Sequence, residues 1–223
     1  MFSKLPRWIE VGAFVLALIA GTVNAIGLLG FEHQSVSHLS GTATLVGTQL
    51  IAASFSVLHL IGILVSFLVG AALSGWLITG NTLRFGRDYD TLLLIEVFLL
   101  LGASALLTQG HGAGHFLASA ACGLQNAMVT TYSGAVIRTT HVTGIFTDLD
   151  LMLGAALRGD KFDSRKAGLF MLIIVGFILG GTVGAWFFQR FAFYALFFPA
   201  GICLLLAISY RVFKSLATSV GRR

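Results

Sequence analysis

Long apolar runs broken by short polar turns divide the chain into eight segments, at roughly 9–30, 41–57, 59–79, 91–108, 115–136, 143–157, 167–188 and 192–213. A helix needs about 20 residues, within a range of about 17–25, to cross a hydrocarbon core of about 30 Å. Six segments reach 18 to 22 residues; the second has 17 and the sixth, which contains Asp148 and Asp150, has 15. Segments this short suit re-entry better than crossing. The longest loops between them hold about a dozen residues. The pattern predicts an all-α polytopic membrane protein, with residues 1–223 forming one membrane domain.

Composition points the same way. Of the 223 residues, 57% are hydrophobic and only 10% charged, and the mean hydropathy is +0.91. Soluble domains carry about 25% charged residues, so a water-facing surface is excluded. The sequence pI near 9.6 would suggest nucleic acid in a soluble protein. In a membrane protein it reads as basic cytoplasmic loops, so no nucleic-acid partner is expected. Cys122 and Cys203 both sit inside apolar runs, which supports neither a disulfide framework nor a zinc site. Lys4 and Arg7 precede the first apolar run, which is too long for a signal sequence and lacks a cleavage pattern; it reads as a retained span.

Basic residues discriminate between topologies. With eight crossings and a cytoplasmic N-terminus, ten of the 14 Lys and Arg fall inside, and Arg84, Arg87, Arg138 and Arg190 fall outside. If the second and sixth segments instead dip in and return, thirteen are inside and only Arg190 is outside. The positive-inside rule favours the second arrangement, with eight crossing helices as the alternative. Both termini are then cytoplasmic.

The chain also repeats itself. Ser37-His38-Leu39-Ser40-Gly41-Thr42-Ala43-Thr44 matches Thr140-His141-Val142-Thr143-Gly144-Ile145-Phe146-Thr147, an offset of 103 from His38 to His141. Asn24-Ala25 matches Asn126-Ala127 at an offset of 102. Phe67, Gly70 and Trp76 match Phe177, Gly180 and Trp186 at an offset of 110, with the extra residues falling in the charged loop around 158–166. Repeat one covers about 9–108 and repeat two about 115–213. Each holds three crossings and one short re-entrant helix, and an odd number of crossings sets the two repeats in inverted orientation. Inverted repeats with short segments at matching positions point to a transporter's central site.

Gly21-x2-Asn24-Ala25 followed by Ser37-His38-Leu39-Ser40-Gly41-Thr42 resembles the YoaK-like family of small bacterial membrane proteins. So does Gly123-Leu124-Gln125-Asn126-Ala127 followed by Thr139-Thr140-His141-Val142-Thr143-Gly144 and Thr147-Asp148. The resemblance covers nearly the whole chain. It implies a bacterial inner-membrane location and brings no substrate, since that family has no assigned function. Its members usually carry Asp where Asn24 stands and Thr-Gly-Asn where Ser40-Gly41-Thr42 stands. Those departures remove a charge and an amide and argue against ion coupling at these positions.

A Ser or Thr before Gly suits a helix start, where the hydroxyl caps free N–H groups, and such N-termini hold anionic groups. Asn24, His38, Ser40, Gly41, Gln125, Asn126, His141, Thr143 and Gly144 are therefore the candidate substrate-binding residues. The bland alternative is that they cap and close-pack two short helices. Asp148 shares a helical face with His141 and Gly144, and with Glu96 it is a candidate for ion or proton coupling, because intramembrane acids are costly. Either acid could instead sit at the interface, Glu96 pairing with Arg84 or Arg87. Glu10 reads as an interfacial residue. The pairs His33/His38 and His111/His115 lack clustered Cys or acid, so no metal and no cofactor is expected.

Ser66, Gly70 and Ser74, like Gly176, Gly180 and Gly184, place small residues every four positions, which lets helix backbones approach closely. They predict either core packing or a homodimer interface. Trp8, Trp76 and Trp186 fit interfacial belts. No Gly-x-Ser-x-Gly or His-Glu-x2-His motif occurs, so an enzyme is not expected. The reading is a small-solute transporter or channel, its solute of anionic character. A non-transporting membrane assembly protein is the alternative, ahead of an intramembrane enzyme acting through His38 or His141 with Asp148.

Overall fold

The computed structural model describes residues 7–30, 36–51, 56–78, 89–132 and 139–220. Lys4, His33, Arg84, Arg87, Arg138, Arg222 and Arg223 lie outside the described residues, as do the side chains of Arg7 and Trp8. The described residues are helical, without strands. The helices are α1 (Arg7–Gly30), α2 (Leu39–Ile51), α3 (Ser56–Leu77), α4 (Tyr89–Thr108), α5 (Ala113–Tyr132), α6 (Val142–Leu157), α7 (Ser164–Phe191) and, after a 3-10 turn at Ala192–Leu196, α8 (Phe197–Val220). Residues 9–30, 56–77 and 89–108 are each long and apolar enough to cross a membrane. So is the stretch 164–215, which at 52 residues through α7 and α8 has the length of two spans. Apolar helices of this kind are those of a membrane protein.

Helix ends and apolar edges differ where local chemistry decides. α7 begins at Ser164, ahead of the apolar run, because the Asp163 carboxylate accepts from the Lys166 N–H at 3.0 Å and caps the first turn. Ala192, at φ 47°, interrupts α7 before the 3-10 turn. Pro199 is tolerated in the first turn of α8, where its missing N–H costs no hydrogen bond. α5 is not among the apolar stretches; it carries Ser119, Gln125, Asn126, Thr130 and Thr131 and is packed inside the bundle, chiefly between α3 and α4. α2 and α6, with 13 and 16 residues, fall short of a span.

Contacts at the helix ends fix relative directions. At one end Glu10 of α1 pairs with Arg165 of α7 at 3.2 Å, and at the other Gly30 lies against Phe188 and Phe193, so α1 and α7 run parallel. His59 and His115 meet at 2.6 Å at the starts of α3 and α5, which are parallel too. Arg211 of α8 pairs with Asp90 at 2.9 Å, while Ser104 donates to the Phe193 carbonyl at 3.0 Å; α4 and α8 are antiparallel. The Gln125 amide, late in α5, donates to the Leu16 carbonyl, early in α1, and Val129 packs with Ile9, Ala13 and Ala17. α5 therefore opposes α1. In sum, α1, α4 and α7 run one way and α3, α5 and α8 the other.

The most extensive packing joins α1 to α7 and α3 to α5, and small residues make it possible. A Cβ on Gly21 would fall 2.9 Å from the Phe177 carbonyl carbon, and one on Gly123 would fall 2.9 Å from that of Phe67. A Cβ on Gly180 would lie 2.8 Å from the Leu18 carbonyl carbon, and one on Gly70 would lie 2.7 Å from that of Ala120. Gly176 and Gly184 likewise face Phe14 and Thr22, and Ser74 is fully buried. The contact residues are the pairs related by the offsets of 102 and 110. The small residues of α3 and α7 thus pack against α5 and α1 within one chain.

Candidate functional site

The two His/Gly motifs lie at the starts of α2 and α6, and each is held by the helix before it. The Ser37 hydroxyl donates to Asn24 Oδ1 at 2.6 Å; the Thr140 hydroxyl donates to Asn126 Oδ1 at 3.2 Å. In each motif the histidine carbonyl accepts the first helical N–H: Thr42 to His38 and Ile145 to His141, both at 3.2 Å. An Asn in the long helix and a hydroxyl in the loop therefore set the entry point of each short helix. His141 occupies the N-cap position of α6 and makes no side-chain cap bond.

Both motifs border one cavity of about 540 Å³. Ser37, His38 and Ser40 form one side, Thr140, His141 and Thr143 the other, and Asn126, Thr130 and Phe67 complete the wall. A second cavity, of about 500 Å³, lies along α1 and α2 and is lined by Asn24, Leu28, His38, Gly41, Thr42, Thr44 and Leu45. His38 borders both. Among the described lining residues, hydroxyl, amide and imidazole groups supply the polarity. Such groups can hold a small solute by hydrogen bonds.

The remaining sequence candidates fall elsewhere. Gly144 lies under the His141 ring, where a Cβ would come within 2.5 Å of Cε1. Gln125 faces away from the cavity, its amide 2.6 Å from the Leu16 carbonyl. Glu96 is buried on α4 beside the Cys203 thiol, and Oε2 has no hydrogen-bond partner among the described residues. Asp148 and Asp150 are exposed on α6 and border neither cavity. Among the described residues no three of His, Cys, Asp and Glu gather in a metal-binding group; His115 instead shares a hydrogen bond with His59.

Ser37, Thr140, Thr130 and Phe67 were not among the sequence candidates. The first two recur at the repeat offset and could have been found by asking which hydroxyls accompany the matched asparagines. Thr130 gives no repeat signal. The His59–His115 pair gives none either, because the matched positions in the other half hold no histidine.

A family model described as "Protein of unknown function (DUF1275)" matches residues 12–209. The YoaK-like name suggested by the motifs is not part of that description. No curated protein and no solved structure matches the chain.

Proposed function

We propose that this chain, which belongs to the DUF1275 family of unknown function, is a small-solute transporter or channel of the bacterial inner membrane. The observation that carries the reading is the single polar cavity bordered by both His/Gly motifs. Backbone that leaves helical form at membrane depth is tolerated where it is buried in protein or lines a wet cavity. Half-helix starts meeting at the centre of two repeats are the usual construction of a transporter site. The first turns of α2 and α6 add free N–H donors, which suit a small anionic solute.

The reading includes inverted repeats, with α2 and α6 re-entrant. Support comes from helix direction: six alternating crossings require α1 and α5 to oppose one another, as the Gln125–Leu16 bond has them. Eight alternating crossings would make them parallel. The termini and the Arg158–Lys166 loop are then cytoplasmic, and the 109–112 turn is outside.

Two measurements test this. A membrane-impermeant thiol reagent should modify Gln109→Cys from outside and Lys161→Cys only from inside; labelling of both from the same face refutes the topology. In proteoliposomes, the purified protein should pass small monovalent anions from a panel of anionic, cationic and neutral solutes. Thr143→Val should lower that flux about tenfold, the effect of about 1.4 kcal/mol from one lost hydrogen bond. An anion flux equal to that of protein-free liposomes overturns the function.

A further inference from the structure

The two halves match in backbone but not in the pose of their histidines. In the second half the His141 imidazole lies over Gly144, with Cε1 2.5 Å from where a Cβ would be. In the first half a Cβ on Gly41 would clear the His38 ring at 3.4 Å from Cδ2. The His38 ring therefore stands farther from its own glycine than the His141 ring does, although both motifs have the Asn–hydroxyl bond and the histidine-carbonyl bond.

The cavities show what that difference does. The 500 Å³ cavity follows α1 to Leu28 and α2 to Thr44 and Leu45, so it runs from the motif toward the end of the bundle where α1 ends and α3 begins. The 540 Å³ cavity lies between the motifs. Among the described residues, His38 is the side chain they have in common.

Resting on the transport reading above, we infer that the His38 ring is the partition between an outer vestibule and the central cavity, and is the residue that selects what passes between them. The solute class follows from the lining. With hydroxyls, amides and imidazoles among the described lining residues, the passing species is small and is held by hydrogen bonds.

The test uses single cysteines and MTSES, an anionic thiol reagent that does not cross membranes, applied from outside to the full chain in proteoliposomes. Cys122 and Cys203 are buried, and the rate of the parent protein is subtracted. Thr44→Cys, in the vestibule, should react fast with or without His38, which also reports on folding. Thr143→Cys, in the central cavity, should react slowly in the parent and about tenfold faster with His38→Ala, the factor that a barrier lower by about 1.4 kcal/mol gives. His38→Gln, which keeps the volume of the side chain, should leave it slow. An unchanged Thr143→Cys rate on His38→Ala overturns the partition and leaves the transport reading standing. No modification of Thr143→Cys from either face in either background means a dry centre, and both fall.

Discussion

Replacing Gly21 or Gly123 with Ala separates the packing account from any account based on apolar composition alone. Each new Cβ would sit 2.9 Å from the carbonyl carbon of the facing residue, Phe177 or Phe67, and closer still to its oxygen. Carbon atoms are comfortable at about 3.5–4.0 Å, so the paired helices must part by about 1 Å. The obstacle is backbone rather than the end of a flexible side chain, so the cost lies at the upper end of the about 1–3 kcal/mol typical of overpacking. Alanine returns about 1 kcal/mol of helix propensity relative to glycine. The net loss is about 2 kcal/mol, equivalent to about 4–8 °C in Tm for a chain of this size. Gly75→Ala is the control, because nothing lies within 4 Å of its Cβ position; it should hold or slightly raise Tm. Thermal unfolding of the purified protein, followed by fluorescence-detected size exclusion, reads all three. The double replacement should approach the sum, since the two sites lie on different helix pairs. Gly21→Ala and Gly123→Ala with the Tm of Gly75→Ala would refute the close approach. A loss in only one of them would refute the equivalence of the two pairs.

Two further outcomes follow from polar contacts. Arg211 is 65% exposed and Asp90 only 7%. Arg211→Ala therefore strands a buried carboxylate and should cost about 1–3 kcal/mol; adding Asp90→Asn should recover part of that, as a double-mutant cycle on Tm measures. Asn24→Ala and Asn126→Ala each remove the acceptor of a loop hydroxyl. Each should change the labelling rate of a cysteine at the adjoining motif, Ser40→Cys or Thr143→Cys respectively, while leaving the distant Lys161→Cys rate unaltered.

Much of the architecture was legible because the bilayer forces apolar residues into continuous runs whose lengths sort spans from shorter elements. The eight segments correspond to eight α-helices among the described residues, with α8 starting and ending several residues later than its segment. Which helices pair was not legible. The spacing of Gly176, Gly180 and Gly184 identifies a face that admits a close neighbour, but nothing in it says that α1 is that neighbour. Adjacent polar residues posed a second difficulty. Successive positions on a helix point about 100° apart, and the two amides, Gln125 and Asn126, go different ways here. Asn126 borders the cavity and Gln125 bonds to α1. Sequence offers the pair of amides without saying which is which. Hydropathy also undervalues α5, because its polar groups are satisfied by neighbouring backbone: Ser119 donates to the Ile63 carbonyl at 2.8 Å, as Gln125 does to Leu16.

The matched asparagines explain how each motif holds its shape without a carboxylate at that position. Asn24 offers an oxygen that accepts from Ser37, and Asn126 does the same for Thr140. An amide oxygen sets the loop as a carboxylate oxygen would, and avoids the several kcal/mol that desolvating an ion costs. The described lining of the cavity between the motifs includes two histidines, five hydroxyls and an amide. On the transport reading proposed above, preference among solutes draws on the hydrogen-bond geometry of these groups.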